Sequence, residues 1–137
     1  MDRASSATAL LARLGFAEPG RAAGLLADPL LIAALGGDAD SGLDLADAMA
    51  EVPDPDLAAL GVVRLLEALK SRGMPSADLA SVLRSASARR DRVLATLGGS
   101  RALVDHLCAH PEHWVAAAEA TQPTADELRA SLVTAVT

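Results

Sequence analysis

The chain has 137 residues, of which 31 are alanine, 23 leucine and only two aromatic, Phe16 and Trp114. That balance favours helix and excludes a β-sandwich or barrel, which draws on Val, Ile, Thr and aromatic side chains. With 12 basic and 18 acidic residues the net charge is −6, so the basic footprint of a non-specific nucleic-acid binder is missing, and two rings cannot stack a run of bases.

The punctuation is helical. Proline loses no hydrogen bond at the first position of a helix, and an aspartate before it can cap the new turn. Glu18-Pro19, Asp28-Pro29 and Asp54-Pro55 therefore each open a segment. Helices are predicted over residues 6–14, 19–27 and 29–35, the first ended by Gly15 and the third by Gly36-Gly37. A polar loop at 38–42 and a short helix over 43–51 follow. Further helices are predicted over 55–71, 76–85, 88–97 and 100–109. A turn or two of helix follows His110-Pro111, and a last helix starts at the capping box of Thr124 and Glu127. Residues 57–69 are apolar nearly all round, apart from a narrow stripe of Gly61, Arg64, Glu67 and, beyond them, Ser71. Such a helix belongs in a core. The expectation is an all-α fold, one region over 1–137, built as an irregular bundle of eight or nine short helices around a buried helix near residues 55–71.

The lone Cys108 excludes an internal disulfide, and a reducing cytoplasm is expected. The first residues carry no signal-peptide pattern, and no apolar run reaches the roughly 18 residues of a membrane span. Residues 131–137 stop inside a helical pattern without a stop signal, as expected of the front of a longer polypeptide.

Four clusters could carry chemistry. Asp38, Asp40 and Asp44 near Gly42 suggest a calcium loop, but counting from Asp38 puts Gly42 at position 5 and Met49 at position 12, which fails the EF-hand pattern. Asp38-Ala-Asp40 also has the spacing of a Mg²⁺-binding carboxylate pair. That pair needs a strand to face both groups one way, and none is predicted beneath it. His106 and His110 stand four apart and could face one way, as zinc ligands do, with His113 near them. Pro111 is expected to break the helix and take His113 off that face. Cys108, on the side of Leu103, Val104 and Leu107, is expected to face the core rather than act as a nucleophile. Arg84, Arg89, Arg90, Arg92 and Arg101 concentrate positive charge. They read as a solvated face near the C-terminal end of their helix, or as a docking surface for an acidic partner or phosphate, with Arg89, Arg90 and Arg92 as its centre.

Three stretches carry a family resemblance. They are Leu11-Ala-Arg-Leu-Gly-Phe-Ala-Glu-Pro-Gly-Arg-Ala-Ala-Gly-Leu-Leu26, Asp54-Pro-Asp-Leu-Ala-Ala-Leu-Gly-Val-Val-Arg-Leu-Leu-Glu67, and Leu97-Gly-Gly-Ser-Arg-Ala-Leu-Val-Asp-His-Leu-Cys-Ala-His-Pro-Glu112 followed by Trp114. Together they resemble the N-terminal end of the bacterial bifunctional glutamine synthetase adenylyltransferases. The family's Gly-x-Ser-x-x-Leu-x-x-x-Leu-x-x-x-Pro signature maps onto Gly98, Ser100, Leu103, Leu107 and Pro111. The resemblance implies an enzyme that moves AMP from ATP onto a tyrosine of glutamine synthetase and removes it by phosphorolysis. It implies Mg²⁺ held by paired carboxylates, control by a PII-type signalling protein, and a deadenylylating N-terminal half. The catalytic strands are expected beyond Thr137, so no catalytic, cofactor-binding or metal residue is carried over, and this part alone is expected to be inactive. Two other readings stand beside it. One is a free-standing all-helical interaction module with no activity. The other is a metal-dependent hydrolase on the histidine cluster, which would hold stoichiometric Zn²⁺.

Overall fold

The computed structural model describes residues 3–37 and 39–119, and every regular element among them is helical. In chain order these are α1 (Arg3–Leu14), α2 (Pro19–Leu26), α3 (Pro29–Ala34), α4 (Ala39–Met49), α5 (Pro55–Ser71), α6 (Ala77–Arg84), α7 (Ala88–Leu97) and α8 (Arg101–Ala109). A 3-10 turn (Pro111–His113) leads into α9 (Trp114–Glu119). The expected capping box at Thr124 and the last helix lie outside the described residues.

The helix starts follow the proline and cap logic. Pro19, Pro29 and Pro55 each stand first in a helix. Asp28 accepts a hydrogen bond from the Leu30 amide (3.0 Å) and Asp54 from the Leu57 amide (3.1 Å). Ser87 and Ser100 cap α7 and α8 through the amides of Arg90 and Leu103. Each such cap contributes about 1 kcal/mol. At Gly15 and Gly73 the backbone turns left-handed, φ +105° and +65°. The amide of Phe16 then reaches Leu11 O, and that of Met74 reaches Leu69 O. This six-to-one bond ends a helix and folds the next apolar residue back onto it. It sets Phe16, only 4% exposed, against the same core as Leu11.

Two helices start earlier than expected, α1 at Arg3 and α4 at Ala39. The predicted polar loop at 38–42 is helical from Ala39 on, as the first turn of α4. Leu45, Ala46 and Met49 along it are fully buried. Burying those side chains outweighs the roughly 1 kcal/mol that a glycine such as Gly42 costs inside a helix.

The core lies around α5, as the apolar sequence of that helix predicts. It packs against α2, α3, α4, α7, α8 and the 3-10 turn, and buries Ala58, Ala59, Val62, Val63, Leu65, Leu66 and Leu69. Arg64 is half-buried and Glu67 and Ser71 are exposed, but Gly61 leaves the predicted polar stripe. A Cβ there would lie 3.1 Å from Leu97 Cβ and 3.2 Å from Val104 Cγ2. Its bare Cα lets the end of α7 and the start of α8 close onto α5. No helix among the described residues is long and apolar enough to cross a membrane.

Candidate functional site

The α7 arginines are held within the chain. Val93, Leu94 and Leu97 form the buried side of that helix, and Arg90 stands one turn earlier on the same side. Its guanidinium is carried inward, leaving the residue 4% exposed. Nη1 donates to Asp44 Oδ2 on α4 at 2.8 Å, while its Nε meets no acceptor among the described residues. Arg89 Nε lies 2.9 Å from Glu119 Oε1, and Arg92 Nε donates to Ala118 O at 2.6 Å. Both therefore tie α7 to α9. This corrects the expectation for Arg89, Arg90 and Arg92 in two ways. They occupy the first half of α7 rather than its end, and Arg90 is not a surface residue. Its place on the apolar period is why charge alone misreads it.

The five residues of the expected signature shape backbone and core. Gly98 N donates to Leu94 O (2.8 Å), and Gly98 O accepts from the Asp54 amide (3.0 Å). A Cβ on Gly98 would fall on the Val52 side chain and 3.1 Å from Asp54 O. Only a glycine lets the end of α7 lie this close to the loop that starts α5. Ser100 caps α8. Leu103 is half-buried, Leu107 is 3% exposed, and the buried Pro111 opens the 3-10 turn.

Sequence reasoning missed one clamp. Both carboxylate oxygens of Asp56 accept amides at the entry to α2, Ala17 N at 2.7 Å and Glu18 N at 2.9 Å. Glu18 itself makes no side-chain cap, so a carboxylate from another helix serves α2. The only local hint is a second aspartate in the first turn of α5. A small concavity of about 120 Å³ opens beside it, lined by Glu18, Arg21, Asp54, Asp56 and Arg101 among others. Its two aspartates are already engaged by backbone N–H groups.

The histidines form a closer group than expected. Pro111 does end α8, but the 3-10 turn folds back. His113 Nδ1 comes to 2.9 Å from His106 Nε2, and the three ring centres lie 5.0, 5.0 and 5.3 Å apart. Among the described residues no three side chains are placed as a ready metal-binding group. Asp105 turns instead to Arg64, at 3.1 Å. Cys108 is half-buried, and burial above all pushes its thiol up, with Arg64 opposing and Asp105 and Glu67 adding. A thiol raised this way stays protonated and is a poor nucleophile.

Fold and site together define an all-helical segment whose singled-out polar residues mainly cap, clamp and space its own helices. Comparison with known proteins is specific where the geometry is general. A bifunctional glutamine synthetase adenylyltransferase/adenylyl-removing enzyme of Streptomyces avermitilis is 41% identical over 123 residues, which cover 83% of this chain. The enzyme so named in Nocardia farcinica is 38% identical over 95% of it, and that of Mycolicibacterium smegmatis 38% over 69%. No family model and no solved structure matches. The chain belongs to the family of these bifunctional enzymes, and it spans only 11%, 12% and 9% of the length of the three relatives.

Proposed function

We propose that the chain is the N-terminal helical part of an enzyme that adenylylates and deadenylylates glutamine synthetase, placed ahead of the first nucleotidyltransferase domain. The observation that carries this is 37–41% identity to proteins all bearing that name, across most of this chain but about a tenth of theirs. Its role is to support and position the deadenylylating half. ATP, Mg²⁺ and a PII-type signal belong to the longer protein. Two Asp-x-Asp pairs occur in the described region's sequence, and neither suits a strand-borne Mg²⁺ site. Asp40 lies in α4, while Asp54 and Asp56 cap α5 and α2. They favour a supporting role over a catalytic one. Arg89 and Arg92 fit the same reading, because they tie α7 to α9.

The reading frame past Thr137 tests the placement. Continuation into a strand carrying a further Asp-x-Asp pair supports it, and a stop codon overturns it in favour of a free-standing helical module. Residues 1–137 alone should release no AMP from adenylylated glutamine synthetase under phosphate.

A further inference from the structure

We propose that His106, His110 and His113 bind one divalent d-block cation of the zinc type, clasping α8 to the 3-10 turn. Two of the three already offer nitrogens to a common point. His106 Nε2 and His113 Nδ1 are 2.9 Å apart, so one donates and the other accepts, and the pair shares a single proton. A zinc-type ion bonds imidazole nitrogen at about 2.0–2.1 Å, which sets two nitrogens of a tetrahedral site about 3.3 Å apart. Replacing the shared proton by the metal needs the two exposed rings to part by roughly half an ångström and to tilt, since a tetrahedral ion lies off the line joining the two nitrogens.

The third ligand is at hand. His110 stands four residues from His106 on the same side of α8, with its ring centre 5.0 Å from that of His106 and 5.3 Å from that of His113. As placed it stacks rather than converges, in keeping with the lack of a ready three-ligand group among the described residues. All three histidines are exposed, so turning one ring disturbs no core packing. Glu112 supplies the outer shell. Its Oε1 lies 3.9 Å from His110 Nδ1 and 3.8 Å from His113 Nε2. Those are the nitrogens left over if His110 binds through Nε2 and His113 through Nδ1. Metal-bound histidines commonly direct their second nitrogen to such a carboxylate, which fixes the ring and raises its basicity. Three neutral imidazoles select zinc-like ions over Mg²⁺ or Ca²⁺, which take oxygen ligands. Cys108 takes no part, because its half-buried side chain packs against the core.

Titration calorimetry with Zn²⁺, and the visible spectrum with Co²⁺, test the site. One Zn²⁺ per chain is expected, with affinity reduced at least tenfold in His106→Ala and in His113→Ala, and several-fold in Glu112→Gln. Cys108→Ser should bind as the parent does. Zn²⁺ should raise the Tm of the parent and not of the histidine variants, whose helicity without metal should be unchanged. Failure to take up one equivalent overturns the proposal. So does uptake that His106→Ala and His113→Ala leave intact, or equal binding of Mg²⁺.

Discussion

Arg90 sets a charge on a leucine face, and its neighbours determine what that costs. A buried guanidinium must keep its partner or carry an uncompensated desolvation cost. Asp44 is that partner, and its own carboxylate is half-exposed, which moderates the loss. Asp44→Ala should therefore destabilise the bundle by about 1–3 kcal/mol, read as a lower urea midpoint. Asp44→Ala combined with Arg90→Met should recover part of that loss, since the charge goes with its partner. Cys108 makes a different prediction. Burial raises its thiol above the ordinary range, so the folded state resists ionisation that the unfolded chain allows. Stability contributed at that position is intact below the ordinary thiol pKa and falls as pH rises from there to the raised value. A pH series of unfolding midpoints should show that fall in the parent and lack it in Cys108→Ala. Alkylation by iodoacetamide at pH 8 should be slower in the folded chain than in urea.

Among the elements, the joints matter more than the helices. Asp56 reaches from α5 to the two amides that open α2. Asp56→Ala should leave α5 in place and raise hydrogen exchange in α1 and α2. A variant that melts α5 instead would place the clamp's weight elsewhere. Gly98 is the second joint. Any Cβ there meets Val52 and the carbonyl of Asp54, and overpacking of this kind costs about 1–3 kcal/mol. Gly98→Val should lower the unfolding midpoint by that amount, while Gly24→Ala, with open space around it, should be neutral or slightly stabilising.

Most helix boundaries were legible because proline, aspartate, serine and glycine act locally. Asp54 caps a turn three residues away. What stayed illegible acts over distance. Arg90 and Asp44 are 46 residues apart and Asp56 and Ala17 are 39 apart, and no local pattern joins them. His113 was misplaced for a subtler reason. Proline forbids the continuing α-helix but not a 3-10 turn, and one such turn suffices to bring the ring back. The 38–42 segment was lost to composition, since glycine and aspartate read as loop wherever the burial of Leu45 and Met49 is not yet known.

For the molecule as a whole, the fold is in keeping with the proposed supporting role, and the relatives name the family. The described helices close around α5, and Asp44, Asp54, Asp56, Arg89, Arg90 and Arg92 are turned to joints between helices or to helix caps. Gly98, the glycine of the expected signature, is one of those joints. If the proposed role holds, disturbing this segment in the full-length enzyme should weaken the deadenylylating half. The direct measurement is both reactions of the full-length enzyme carrying Gly98→Val, with phosphorolytic release of AMP and attachment of AMP to glutamine synthetase assayed side by side. The account predicts that release falls severalfold more than attachment. Equal rates to the parent in both reactions, with the segment shown to be destabilised, would contradict it.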